Sequence, residues 1–370
     1  MKNHPLSCLL LSGALFLVSH ASAQTDFSLV DERARKVTFP KKQNITQLAA
    51  DLTTGLATET EKSRAIFVWV TKNIRYDIQL LNDDDMESAE RKAKQQPGVV
   101  LSSRKAICEG YANLFQTICT AAGLQSVVAT GVTKKPSGRI ARIGHAWNLV
   151  RADGRWYPID ATWGAGYLDD NEKYVVSFDE KFFFSAPQEF AQDHFPTDPL
   201  FQLLEKPIDF SSFKLKPAER KTLPAATTIF TLPNPTDSLN LLVGLDSAAA
   251  RLNSTLRTLR FDPQSGQANF YLALHQFEAA GQLIAAHQAV QTGLIQKKVP
   301  VTRASLQGSD ERMLAIQQKL KECQQTIAII QPGDRYWRNG QSLRRTAEAN
   351  LNSCKEVLEG NAMTRKKLKG

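Results

Sequence analysis

Residues 102–163 switch from a helical to a strand period, and no other feature limits the fold of this chain as tightly. After Cys108 the apolar residues Tyr111, Leu114, Phe115, Ile118, Cys119 and Ala122 recur at three- and four-residue spacings, and Gly123 follows as a stop signal. The spacing predicts one amphipathic, largely buried helix with Cys108 in its first turn. Val127-Val128-Ala129 then reads as strand, and two more short strands flank Asp153-Gly154, a strong hairpin signal. A buried helix followed by antiparallel strands is an α+β arrangement.

The hairpin has a consequence for chemistry. With a two-residue loop at 153–154, Trp147 faces Asp160, and His145 becomes the diagonal neighbour of Asp160 on the same face. A four-residue loop at 151–154 pairs His145 with Asp160 directly, whereas a three-residue loop separates them. A helix N-terminus favours an anion at Cys108, since free N–H groups and the positive end of the dipole point there. Cys108, His145 and Asp160 therefore form a candidate catalytic triad. Cys108 would attack a carbonyl, His145 would carry the proton, and Asp160 would orient the imidazole. The Cys108 amide could also serve a developing oxyanion. Cys119 reads instead as a small core residue, and His194, His275 and His287 read as satisfied core histidines.

These segments resemble the transglutaminase-like superfamily. The resemblance rests on Ala106-Ile107-Cys108-Glu109-Gly110-Tyr111-Ala112, His145-Ala146-Trp147-Asn148 and Trp156-Tyr157-Pro158-Ile159-Asp160-Ala161-Thr162-Trp163. Upstream, Ala65 to Val70 and Asn73-Ile74-Arg75-Tyr76-Asp77 look like the family's lead-in. The tail Phe182-Phe183-Phe184, Pro187 to Phe190, His194-Phe195-Pro196 and Gln202-Leu203-Leu204 is similar to the kyphoscoliosis-peptidase-like and cytokinesis-associated branch. The resemblance spans roughly residues 30–210. It implies a papain-like fold, with the Cys-bearing helix packed on an antiparallel sheet carrying His and Asp. It also implies a peptide or protein substrate and either protease or acyl-transferase chemistry, with a non-catalytic interaction scaffold as the alternative.

The rest of the chain reads as separate parts. Lys2, the apolar run Leu6 to Val18 and Ala21-Ser22-Ala23 form an export signal over 1–23, so the chain is expected to be periplasmic or secreted. The catalytic part is expected at 24–210. Pro217, Pro224, Pro233 and Pro235 mark a linker or small subdomain at 211–240. At 241–370 a helical region is expected, from apolar periodicity over Ser247–Leu259, Ala268–Thr292, Asp310–Ile330 and Gln341–Leu358, with Gly266 and Gly281 among the interruptions. Helices are also expected at Thr46–Leu56 and Thr60–Lys72, the latter with Ala65, Ile66, Trp69 and Val70 on one buried face. The polar stretch Asn82 to Gln96 reads as a solvated loop or frayed helix.

Charge follows the same division. Residues 24–210 carry 23 Lys and Arg against 25 Asp and Glu, and residues 211–370 carry 22 against 12, so the net +9 belongs to the C-terminal part. That excess allows contact with an acidic surface or anionic membrane, and no nucleic-acid motif accompanies it. There is no C-x-x-C pair or Cys/His cluster at zinc spacing, so neither a metal nor a cofactor is expected. Cys323 and Cys354 lie symmetrically about the Pro332–Gly340 connection, which permits a disulfide between two antiparallel helices.

Overall fold

The computed structural model describes residues 26–38, 44–83, 85–135, 137–141, 143–169, 173–215 and 234–368. The expected export signal and most of the proline-rich stretch, from 216 to 233, lie outside the described residues.

Three helices open the described chain: α1 (Ser28–Lys36), α2 (Ile45–Thr53) and α3 (Glu59–Asn73). A capping box starts α3, Thr58 and Glu61 each accepting the other's backbone amide. The helix is buried over the whole run from Ser63 to Thr71. The sequence pattern had suggested a single buried face. The difference arises because α1 and α2 pack against α3 from one side while later elements, including the Cys108 helix, pack from others.

The strand β1 (Arg75–Tyr76) runs parallel to β2 (Lys105–Ala106). Between them lie three short helices, α4 (Ile78–Leu81), α5 (Ser88–Lys94) and α6 (Pro97–Ser103). Then come α7 (Cys108–Ala121), β3 (Ser126–Thr133), β4 (His145–Ala152) and β5 (Arg155–Ile159). They are followed by α8 (Ala161–Ala165), the hairpin β6 (Gly166–Leu168) and β7 (Tyr174–Val176), α9 (Pro187–Phe190), β8 (His194–Pro196) and α10 (Phe210–Lys214). The main sheet is antiparallel in the order β5-β4-β3-β8.

Helix α7 packs on that sheet, and the aromatic and aliphatic side chains of α3, α7 and the strands share one core. A buried hydrogen bond fixes the pairing: Asn148 Nδ2 of β4 donates to the Ala112 carbonyl of α7 at 3.0 Å. The fold is thus α+β, with a Cys-headed helix on an antiparallel sheet.

Among the described residues five more helices follow: α11 (Pro235–Val243), α12 (Ser247–Phe261), α13 (Gly266–Gln296), α14 (Arg303–Ile327) and α15 (Trp337–Lys367). The four expected helical runs are all present, and most are longer than the periodicity implied. Gly281 does not interrupt; it sits inside α13, a helix of 31 residues. One internal glycine costs a helix only about 1 kcal/mol, which packing along α14 readily outweighs. Ala273, Ala280, Ile316, Leu320, Ala347 and Leu351 form the core of this part, together with Cys323 and Cys354. Both cysteines are free thiols, so the disulfide that spacing permitted is not formed.

The helices dock on the sheet through polar and apolar contacts. Leu239 and Leu242 of α11 pack with Leu149 and Trp156, and Trp156 Nε1 donates to Asn240 Oδ1 at 3.1 Å. Arg257 of α12 grips buried Asp198 with two nitrogens, at 2.8 and 2.7 Å. The connection between α14 and α15 also reaches across, placing the Arg335 guanidinium against Gly144, the residue before His145.

Candidate active site

Cys108 is the first residue of α7, preceded by Ile107, whose side chain cannot cap a helix. The missing cap comes from Gln95, just beyond α5. Its Oε1 accepts from the amides of Ile107 at 3.1 Å and Gly110 at 2.9 Å. A Cβ at position 110 would overlap this oxygen, so glycine there keeps the cap in reach. The cap takes the amides on either side, leaving those of Cys108 and Glu109 outside it. The stretch 82–96 is solvated as expected, with no buried residue in α5, except at Gln95, which is fully buried and organises the head of α7. The sequence did carry a hint, because Ile is a poor N-cap and implies a partner from elsewhere.

The hairpin adopts the two-residue loop. Asn148 pairs with Ile159 and Ala152 with Arg155, and Asp153 and Gly154 turn with positive φ of 49° and 84°. His145 heads β4, and Asp160 follows β5 as the N-cap of α8. Their side chains meet as the register requires, with His145 Nε2 2.7 Å from Asp160 Oδ2. The remaining ring nitrogen, Nδ1, is left for Cys108, whose side chain lies near enough to act on the ring by charge. The three residues singled out in the sequence are therefore brought together.

Asp160 is completely buried, and its carboxylate is fully engaged. Oδ1 accepts the amides of Thr162 at 2.8 Å and Trp163 at 3.1 Å, the first turn of α8. Oδ2 accepts from His145 and, at 3.1 Å, from Nε2 of His194. Burial works against its charge. The His145 charge and the hydrogen bonds from both imidazoles outweigh burial and hold the carboxyl well below the usual carboxylate range. For His145, burial alone would push the ring down. Asp160 first, and Cys108 second, more than reverse this and hold the ring up, at about 10. The imidazolium form is thus favoured beside Cys108.

Of the three histidines read as core residues, His287 is buried, His275 is exposed on its helix, and His194 is misplaced in the way that matters for the site. It was expected to be an ordinary core histidine, yet it lies in the site, buried to 1 %, on the carboxylate that orients His145. The physical reason is topological. Edge strand β8 pairs with β3 beside β4, with Thr133 opposite His194 and Gly131 opposite His145. The only signal was its place in the His194-Phe195-Pro196 segment.

Aromatic rings pack around the two imidazoles. Trp163 lies 5.5 Å from His145 and 4.6 Å from His194 between ring centres, and Phe190 stacks on His194 at 3.9 Å. Tyr76, brought beside the head of α7 by the β1–β2 pairing, is held neutral. Burial raises its phenol well above the ordinary value, and the nearby Cys108 and Asp160 add to this. The ligand atoms of His145, Asp160 and His194 all lie within 4.8 Å of one another, close enough to converge on an ion. Both Nε2–Oδ2 separations are hydrogen-bond lengths that a ring proton accounts for. The trio is thus a hydrogen-bonded relay.

Residues 46–161 match the model of the transglutaminase-like superfamily, a range that ends just past Asp160 and takes in all three residues. The chain carries a transglutaminase-like domain over these residues. Among curated proteins, it is 32 % identical over 194 residues to kyphoscoliosis peptidase of Mus musculus, covering 51 % of this chain and 28 % of that protein. It is 29 % identical over 213 residues to hillarin of Drosophila melanogaster, covering 53 % of this chain and 25 % of hillarin. The chain thus spans under a third of the length of these relatives. A solved structure of a TGase aligns at 21 % identity with a TM-score of 0.26, over 45 % of this chain and 40 % of that one.

Proposed function

We propose that the chain is a cysteine-triad enzyme acting on amide bonds of peptides or proteins through a thioester acyl-enzyme. The observation that carries this reading is the meeting of a helix-heading cysteine with a His145–Asp160 pair whose carboxylate is buried and fully hydrogen-bonded. Cys108 Sγ attacks the carbonyl carbon with its proton already held on His145 Nδ1. The Cys108 amide and the neutral Tyr76 hydroxyl are donors available to the resulting oxyanion. As the intermediate collapses, the C–N bond breaks and His145 returns the proton to the leaving amine. Water then attacks the thioester; His145 takes its proton and restores the Cys108 thiol as the acid leaves. A primary amine in place of water would give transfer instead. Hydrolysis is favoured, since water needs no second binding site.

The test is labelling by a thiol-directed activity probe in the parent chain, Cys108→Ala and His145→Ala. Labelling should vanish in the first variant and slow by about 100-fold in the second. Rates indifferent to His145 would instead support a transglutaminase-like interaction scaffold. Glutamine peptides with and without a primary amine then separate hydrolysis from transfer.

A further inference from the structure

We propose that His194 is a positioning residue of this site, sharing Asp160 Oδ2 with His145 so that the carboxylate is fixed and holds the His145 ring with Nδ1 turned to Cys108. The inference rests on the proposed cysteine chemistry.

A carboxylate on a single hydrogen bond can rotate, and an imidazole held by it can flip or change tautomer. Here rotation is blocked at both oxygens. The amides of Thr162 and Trp163 hold Oδ1, and two imidazoles share Oδ2. An ionised carboxylate only accepts, so the nitrogen facing it must carry the proton. His145 then has Nε2–H toward Asp160 and presents Nδ1 to Cys108, the nitrogen that holds and returns the thiol proton. His194 likewise points Nε2–H at Asp160.

His194 is itself held at its far end. Its Nδ1 lies 2.6 Å from Asp193 Oδ1, and the Asp193 carbonyl accepts the Lys134 amide at 2.8 Å, which ties that residue to the end of β3. Each ring nitrogen faces a carboxylate oxygen, so the ring is gripped along its long axis. Phe190 covers one face, Trp163 lies at a tilt and Trp147 meets it edge-on at 5.1 Å. The result is a continuous line from partly exposed Asp193 through His194, Asp160 and His145 to Cys108. A histidine kept only for packing would not need both nitrogens on carboxylates.

Two amide substitutions separate the role from bulk. In His194→Gln the side-chain nitrogen falls where Nε2 was and can still donate to Asp160. In His194→Asn it falls near the Nδ1 position and serves Asp193 alone. The measurement is the rate at which iodoacetamide alkylates Cys108 at pH 7, with circular dichroism melts to confirm folding. Spectra of ¹⁵N-histidine chain report the tautomers. His145→Ala should slow alkylation by about 100-fold. His194→Asn should slow it by about 10-fold, with the His145 Nε2–H resonance shifted from its parent position, and His194→Gln should stay within about 3-fold of the parent.

Equal rates in the Asn and Gln variants would overturn the positioning role. So would a parent spectrum in which His194 Nε2 carries no proton, a result that needs no variant to fold. An alkylation rate unchanged in His145→Ala would instead remove the cysteine chemistry beneath both readings.

Discussion

Both parts of the molecule bury cysteine in helices, but only one surrounds it with convergent polar groups. Cys323 and Cys354 sit within α14 and α15 among alanines, leucines and isoleucines. Burial pushes the Cys323 thiol up to about 11 and raises that of Cys354 as well. Cys119 behaves alike two turns and more into α7, its thiol driven far up by complete burial. Such thiols are small apolar side chains. Cys108 shares a helix with Cys119, yet it stands at the N-terminal end, where amides are unpaired and the His145 ring is in reach. What distinguishes it is its place at an element end with a hydrogen-bonded pair brought up by a hairpin. The C-terminal helices contain no comparable cluster among the described residues.

The harshest way to break this contrast is Asp160→Asn. Asparagine keeps an oxygen for the Thr162 and Trp163 amides, so α8 retains its cap and the fold should survive. Its NH₂ group, however, turns a donor toward two ring N–H groups. Probe labelling of Cys108 should fall on the order of 10³-fold at pH 7. The pH profile should change with it. His145 is raised, so its protonated form is present below about 10 and is lost as pH rises through that value. In the parent, the alkaline limb of turnover should therefore lie near 10. Without the Asp160 charge only Cys108 is left to oppose burial, and the limb should move down from about 10. A limb that stays near 10 would detach Asp160 from His145.

A gentler perturbation reaches the same relay from the backbone. Gly131 of β3 lies between His145 on β4 and Pro196 on β8, and a Cβ there would overlap the Phe195 carbonyl oxygen and the backbone beside it. Gly131→Ala should force the edge strand outward, carrying His194 with it. The expected cost is about 2 kcal/mol by denaturant melt, with a loss of labelling close to that of His194→Asn. Full labelling in a destabilised Gly131→Ala chain would show that β8 can move without disturbing Asp160.

How much of this could be read from sequence depended on whether the causes were local. The helix at Cys108 and the Asp153-Gly154 turn are set by spacing and turn chemistry within a few residues, and these were enough to put His145 and Asp160 on one face. Register carried the argument, because a change of loop length by one residue would have separated them. His194 and Gln95 were illegible for the opposite reason. Each acts on a residue more than ten positions away, through an edge strand pairing or a cap supplied from another helix, and no period records such contacts. The relation of α3 to its neighbours was hidden in the same way, since a helix wrapped on several sides loses the one-faced pattern that marks a surface helix.

The smallest effect belongs to the helical part and has the opposite sign. Gly281 occupies an exposed position inside α13, and a Cβ built there meets nothing within 4 Å. It does not require the left-handed backbone that would justify glycine. Gly281→Ala should therefore stabilise the chain by about 0.5–1 kcal/mol, because alanine restricts the unfolded state without meeting a clash in the folded one. Labelling of Cys108 should not change. Set beside Gly131→Ala, the same one-carbon addition should weaken the sheet that carries the site and strengthen the helix that lacks one. If the two substitutions instead shift stability in the same direction, or if Gly281→Ala alters labelling, then the helical part is coupled to the site more tightly than its contacts through Arg257, Asn240 and Arg335 suggest.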